Sequence, residues 1–261
     1  MARQLRVLLV TIDYPPPPGG IQTVTKNLEK GLNAGGHRSC VLHLERESYS
    51  PTIGDFIPHP RRFYGLKSIR RRDFVYMNNL YKKTTDRIKN FNPDIVHAMH
   101  INNWSSLVAA KDHNIPTVLS THGLELKNTS LAKTAISDAA LVHTPSIFTS
   151  DLVKDILSDT QTYVVPPSID LDSYRDKLST KGGKDNTGPV ICISRFVDRK
   201  NIETVIRAWE VVDRSIRAER NLVIVGDGPN RQRLENLASE SVRFTGWINE
   251  EEKRQLLAEA S

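Results

Sequence analysis

Arg195, Arg199 and Lys200 crowd into one short stretch, Ser194-Arg195-Phe196-Val197-Asp198-Arg199-Lys200-Asn201. An arginine offers a planar fork and a lysine a point charge, so such a loop in front of a helix suits a diphosphate. A solvated charged loop is the plain alternative. A second stretch, Asp13-Tyr-Pro-Pro-Pro-Pro-Gly19-Gly20, sets two glycines between an apolar run and a helical pattern. Glycine lets the backbone turn tightly and approach a ligand. The helix start behind it presents free N–H groups and a partial positive charge to an anion. An ordinary strand–helix turn uses the same residues. A third, Ser120-Thr121-His122-Gly123-Leu124-Glu125, puts His122 at the end of an apolar run. An imidazole there can donate hydrogen bonds to sugar hydroxyls or phosphate; a satisfied structural histidine is the alternative.

Other combinations carry less. Val225-Gly226-Asp227-Gly228-Pro229-Asn230-Arg231 is superficially like the dinucleotide fingerprint G-x-G-x-x-G. Arg231 stands where the third glycine belongs and Pro229 intrudes, which argues against NAD. His97 and His100 lie three apart in or just after a strand; that step places them on opposite faces and argues against a metal pair. Asp170-Leu-Asp172 has a spacing that could hold a divalent ion, but it sits beside a linker rather than after a buried strand, so no metal is expected. Asn103-Trp-Ser105 and Asn128-Thr-Ser130 are formal glycosylation sequons, idle without a secretory signal.

The elements that must position these residues alternate between strand and helix. Leu5–Ile12 is a nearly continuous apolar run, as expected of a strand buried on both faces. Ile21, Val24, Leu28 and Leu32 then form one helical stripe, stopped by Gly35 and Gly36, and a strand follows at Ser39–Leu44. Further strands fit Asp94–Met99, Pro116–Thr121, Ala139–His143 and Gln161–Val165, with helices around 103–113, 128–137 and 146–157. The polar stretch Leu178–Gly188 reads as a linker or surface loop. Strands at Val190–Ser194, Leu222–Val225 and Val242–Thr245 come next, with helices from about 201, 230 and 250. Alternation of this kind predicts parallel sheets covered by helices. The expected division is 1–170, a linker at 171–188, and 189–261. Three strands in the second block are few, since doubly wound nucleotide-binding domains carry about six.

The 261 residues are 38% hydrophobic and 25% charged, enough for real cores and too balanced for a disordered chain. No window approaches about 18 apolar residues, so no membrane-spanning helix is expected. The run Leu5–Ile12 is short and leads into prolines, which argues against a signal peptide. Cys40 and Cys192 form no CxxC pair, so zinc, redox and disulfide scaffolds lack support and a reduced cytoplasmic protein is the default. The net charge of +6 is uneven. Between Arg61 and Asn90 ten cations face two carboxylates, and Phe63, Tyr64 and Phe74 stand among them. That segment suits an anionic partner such as a membrane face, with a solvated basic helix as the alternative. No base-reading motif accompanies the charge, so no nucleic acid is expected.

Taken in order, PPPPGG with its helix, DIVHAMH, STHG, VPPSIDLDSY, ISRFVDRKN with its helix, LVIVGDGP and VRFTGWINEEE resemble the retaining glycosyltransferases of family 4, the "group 1" enzymes of GT-B fold. The resemblance implies an α/β protein of two Rossmann-like parallel-sheet domains facing a cleft, the first for the acceptor, the second for a nucleotide-sugar. It implies transfer of a sugar from a nucleotide-diphosphate-sugar to a sugar, polysaccharide or lipid-linked acceptor, with retention and without metal or cofactor. Gly19 and Gly20 would approach the donor phosphates and the acceptor. His122 would be the active-site histidine, contacting the transferred sugar. Arg195 and Lys200 would bind the diphosphate, Gly226 and Asp227 would line the donor pocket, and the backbone near Trp247 and Ile248 would meet the base. Localisation would be cytoplasmic, peripheral on the inner membrane face through 61–90.

Two departures stand out. Pro167-Ser168 replaces the family's Asn-Gly, and the family's Glu-x7-Glu signature is absent, so the second domain is expected to be incomplete. A truncated, non-catalytic remnant or binding module is therefore the main rival. A non-hydrolysing nucleotide-sugar epimerase of similar architecture is another.

Overall fold

The computed structural model describes residues 3–12, 14–15, 19–44, 71–127, 129–169, 171 and 188–260, with side chains at 71–74 excepted. Asp13, Asn128, Asp170, Asp172, most of the expected linker and the basic residues from Arg61 to Arg70 lie outside them. The chain divides into two compact units, Met1–Ile169 and Asp170–Ser261.

In the first unit the elements run β1 (Arg6–Thr11), α1 (Gly20–Ala34), β2 (Arg38–His43), α2 (Arg71–Phe91), β3 (Ile95–Ala98), α3 (Trp104–Asp112), β4 (Thr117–Ser120), α4 (Thr129–Asp138), β5 (Leu141–Thr144), α5 (Ile147–Ile156) and β6 (Thr162–Val164). All six strands are parallel, in the order β2-β1-β3-β4-β5-β6. The continuous apolar run of β1 follows from burial on both sides. Leu8 and Val10 join a core with Leu80, Val96, Trp104, Leu107, Leu119 and Ile136. Val7 and Leu9 pack on the opposite face against the stripe Ile21, Val24, Leu28 and Leu32 of α1. Period-2 alternation in the strand and 3.6-residue periodicity in the helix thus meet at one interface.

That second face changes character beyond α1. Strand register aligns Leu9 with His97, His97 with Val118, and Ser120 with His143. A polar chain crosses the sheet there: His97 Nε2 and Ser120 Oγ are 2.8 Å apart, Ser120 Oγ and His143 Nδ1 2.8 Å, and His143 Nε2 and the Val165 carbonyl oxygen 2.8 Å. A carbonyl only accepts, so His143 donates from Nε2, Ser120 donates to His143 Nδ1, and a neutral His97 donates to Ser120. Burial, then the nearby His143 and His122, push His97 down to about 3, which keeps it in that neutral form.

The second unit holds β7 (Val190–Ile193), α6 (Ile202–Glu210), α7 (Arg214–Glu219), β8 (Leu222–Val225), α8 (Arg231–Leu237), β9 (Val242–Gly246) and α9 (Glu250–Glu259). Its three described strands are parallel, in the order β7-β8-β9. Leu222, Ile224, Val242 and Phe244 pack on Ile202, Ile206 and Trp209 of α6 and Leu234 of α8. The short α7, absent from the periodicity reading, starts at Asp213, whose carboxylate accepts from the Ser215 N–H at 2.8 Å. Strand β7 keeps both of its end residues exposed, Val190 at 38% and Ile193 at 44%. Among the described residues no helix is long and apolar enough to cross a membrane.

Candidate functional site

In the first unit the sequence-derived residues gather at the C-terminal edge of the sheet. The order β2-β1-β3 makes the gap between β1 and β3 a topological switch point, where open parallel sheets admit ligands. Gly19 and Gly20 follow β1, His100 follows β3, and His122 follows β4.

Gly19 is the residue ahead of α1, with φ −174° and ψ 162°; this is extended backbone that any residue adopts, so the tight-turn reason for glycine does not apply. Packing favours glycine at 19, where a Cβ would strike the flexible Gln22 side chain, and not at 20, where a Cβ would meet nothing within 4 Å. What remains for Gly20 is open space at the helix start. Among the described residues no side chain caps α1, and its first turn carries no carboxylate, so its leading N–H groups and partial positive charge have no side-chain partner there.

His122 is half-buried and fixed twice. Its backbone N–H donates to the Glu125 carboxylate. Its Nε2 lies 2.9 Å from the Met99 carbonyl oxygen. The carbonyl can only accept, so the proton sits on Nε2 and Nδ1 is the acceptor of the neutral ring. The His100 ring stacks on it, with centroids 6.3 Å apart and planes 21° from parallel. His100 Nδ1 accepts from the Asn102 N–H at 3.1 Å, so a neutral His100 carries its proton on Nε2. The sequence reading weighed His100 only as a metal partner of His97. Strand β3 stops at Ala98, and His100 instead caps a short 3-10 turn, which turns it towards His122.

A cluster that the sequence did not reveal joins the segment after β1 to α1 and the end of β2. Tyr14 donates to the Glu29 carboxylate and stacks on His43 at 6.0 Å. Burial and Glu29 push the Tyr14 phenol up to about 12. Asn103 is fully buried, so its sequon is closed in the folded chain.

In the second unit the loops after β7, β8 and β9 interlock at the corresponding edge. The Phe196 N–H donates to the Asp227 carbonyl at 2.9 Å, the Asn230 N–H to the Phe196 carbonyl at 3.1 Å, and the Gly226 N–H to the Gly246 carbonyl at 2.9 Å. Here the glycines are structural. Gly226 has φ +129° and a Cβ would strike the Ser194 carbonyl oxygen; Gly228 has φ +155° and its Cβ would lie 2.6 Å from the Phe196 carbonyl oxygen. The Gly-Asp-Gly run lets two loops about thirty residues apart in sequence touch backbone to backbone.

Asp227 acts as a clamp. Its carboxylate accepts from the Gly228 N–H at 2.7 Å and from Arg231 Nη1 at 3.0 Å. The Gly228 bond, then Arg231, hold its carboxyl below the usual range. Arg231 also donates to Glu235 at 2.8 Å. The arginine that spoiled the dinucleotide fingerprint is thus the strut of this edge.

Arg195 and Lys200 are exposed around the buried Phe196, and among the described residues neither has an ion-pair partner. Lys200 ends a 3-10 turn, and Asn201, at φ 47°, hands over to α6 without a side-chain cap. The turn is anchored through Asp198, which accepts from Asn230 Nδ2 at 2.7 Å. Trp247, 61% exposed, and the half-buried Ile248 follow β9 at the same edge. Two cations beside an uncapped helix start can neutralise a diphosphate. Among the described residues no three His, Cys, Asp or Glu side chains cluster to hold a metal ion.

Residues 18–173 match the family described as "Glycosyltransferase Family 4", and residues 174–261 match "Glycosyl transferases group 1". The chain belongs to these glycosyltransferases. A GDP-mannose-dependent alpha-(1-6)-phosphatidylinositol monomannoside mannosyltransferase of Mycolicibacterium smegmatis is 31% identical over 153 residues, covering 52% of this chain and 40% of that protein. The alpha-monoglucosyldiacylglycerol synthase of Streptococcus pneumoniae is 24% identical over 94% of this chain and 62% of its own length. The chain therefore spans less than two thirds of either relative, 40% of one and 62% of the other. Among solved structures, sucrose-phosphate synthase from Thermosynechococcus elongatus superposes with a TM-score of 0.70 at 17% identity, over 99% of this chain and 74% of the other. Starch synthase IV from Arabidopsis thaliana, bound to ADP and acarbose, gives 0.68 at 14%, over 99% and 77%. The two parallel-sheet units are those of the GT-B fold, the second with a small sheet of three described strands.

Proposed function

We propose that the chain is the acceptor-side domain and the leading part of the donor-side domain of a glycosyltransferase that moves a sugar from a nucleotide-diphosphate-sugar to a lipid-linked or sugar acceptor, with retention of configuration. The observation that carries this reading is the pair of exposed cations, Arg195 and Lys200, which have no ion-pair partner among the described residues and stand beside the uncapped start of α6. As the glycosidic bond lengthens, charge builds on the departing diphosphate. Fixed cations and helix N–H groups stabilise that charge without having to reorganise. Asp227, Arg231 and the interlocked glycines keep the loops rigid enough for this. On the first unit, His122, oriented by the Met99 carbonyl and backed by His100, would offer Nδ1 to a sugar hydroxyl. The diphosphate is held by protein groups, with no metal ion and no cofactor.

A lipid acceptor is supported by the two relatives, which are named for phosphatidylinositol and diacylglycerol compounds. It is also supported by the basic segment, of which Lys83, Arg87 and Lys89 on α2 are exposed. These charges would hold the protein at an anionic, cytoplasm-facing membrane surface. The small second sheet, with three described strands and the ends of β7 exposed, favours a second reading, a non-catalytic binding piece. Transfer of labelled sugar from a panel of nucleotide-sugars to lipid extract separates the two. The first reading expects transfer that His122→Ala abolishes; label moved equally by His122→Ala, or no label moved from any donor, removes it.

A further inference from the structure

The second unit carries a cavity of about 260 Å3 at the end of its sheet remote from the donor loops. It is lined by Pro189, Glu219, Arg220, Asn221, Val223 and Arg243. Pro189 and Asn221 stand just before β7 and β8, while the cation loops follow the far ends of the same strands. Val223 precedes Gly226 by three residues, about 10 Å at the rise of a strand. Strand register aligns Ile191, Val223 and Arg243, which therefore share one face. That face is opposite the one where Leu222, Ile224, Val242 and Phe244 meet α6 and α8. The cavity is thus separate from the donor edge and from the core.

Its charges are unresolved. Among the described residues Arg220 Nε is buried with no hydrogen-bond partner, and a buried charged donor left unpaired is costly. Neighbouring Arg217 shows what saturation looks like here: it donates to Glu210 at 2.8 Å and to the Val212 carbonyl at 3.0 Å. Among the described residues no ion pair joins Arg220 or Arg243 to Glu219 or to any other carboxylate. Two guanidinium groups against one carboxylate leave the cavity with one positive charge to neutralise. Planar forks of this kind match tetrahedral oxyanions. The volume lies just below the range for drug-sized ligands, which suits a small anion.

We infer that this cavity is a second anion site, which takes the phosphate group of a small phosphorylated ligand between Arg220 and Arg243. Glu219, also in the lining, would accept a hydrogen bond from a ligand hydroxyl or from a singly protonated phosphate. The inference does not rest on the glycosyltransferase reading, because none of these residues belongs to the donor edge.

The test removes the donor edge first. In the 261-residue chain carrying Arg195→Ala and Lys200→Ala, inorganic phosphate and a hexose monophosphate are titrated separately by calorimetry, at ionic strength matched with chloride. Saturable binding is expected in that background. Arg243→Gln, an exposed position whose replacement leaves the fold alone, should weaken it at least tenfold, and Arg220→Gln should do the same. Equal affinity for both probes assigns the contact to a bare phosphate, and tenfold tighter binding of the hexose monophosphate assigns it to a sugar phosphate that fills the cavity; both support the site. Absence of saturable binding, or binding that survives unchanged in Arg243→Gln and Arg220→Gln, overturns it. Loss of nucleotide binding at the donor edge would leave this outcome untouched, so the two ideas fail separately.

Discussion

Replacing Gly20 by alanine separates what the fold needs from what a ligand needs. Gly20 opens α1 with ordinary backbone angles, since it is absent from the positive-φ residues, and a Cβ there would meet nothing within 4 Å. The unfolded chain loses conformational freedom and the helix gains a better former, so stability should rise by about 0.4–1 kcal/mol. In a unit of this size that raises the midpoint by about 1–3 °C. The same methyl projects into the open space through which a phosphate would reach the α1 N–H groups, so nucleotide-diphosphate affinity should fall. Differential scanning calorimetry reads the first effect, and titration with GDP and UDP reads the second. A lowered midpoint would show that the backbone reasoning is wrong. A raised midpoint with unchanged affinity would show that the glycine has nothing to do with a ligand.

Gly226→Ala should behave in the opposite way. The φ of +129° and the collision with the Ser194 carbonyl together cost on the order of 3 kcal/mol or more, so the second unit should lose protection in hydrogen exchange while Met1–Ile169 keeps its own; equal protection in both units of the variant would refute the interlocked-loop account. His97 gives a pH dependence of known sign. Its unfolded value is about 6.5 and its folded value about 3, so the unfolded chain takes up a proton below pH 6.5 that the native chain refuses. Stability present above pH 6.5 should therefore decline as pH falls, by about 2 kcal/mol at pH 5, before the carboxylates titrate. Urea midpoints at pH 7.5 and 5 should show this loss in the natural chain and most of it gone in His97→Asn; the same loss in both would contradict it.

Much of this architecture was legible because burial leaves a periodic trace. The run Leu5–Ile12 announced β1 because Val7 and Leu9 face α1 while Leu8 and Val10 face the other core. The α1 stripe was readable for the same reason. Most strand ends were missed by one or two residues in either direction, since the last ladder bond depends on the neighbouring strand and leaves no mark in the periodicity. Helix α7 escaped because six residues are too few for a helical period, although its Asp213 cap was in plain view. At the site, the placement of His122, Arg195 and Lys200 followed from one rule, that loops at the C-terminal edge of parallel strands meet ligands. His100 was weighed only as a metal partner of His97, because its capping of a 3-10 turn beside His122 begins where β3 has ended. The reason for Gly226 and Gly228 was invisible, because the atoms they avoid belong to Ser194 and Phe196 on another loop. Arg231 looked like a defect in a motif and is a clamp on Asp227, a role that only the contact itself reveals.

The central claim is that Arg195 and Lys200 hold the donor's diphosphate. Calorimetric titration of GDP and UDP into the chain and into its Arg195→Ala, Lys200→Ala and double variants tests it most directly. The account predicts saturable binding that weakens about tenfold with each cation removed, as expected for exposed charge-assisted contacts, and about a hundredfold with both. Binding of equal strength in the double variant would contradict it.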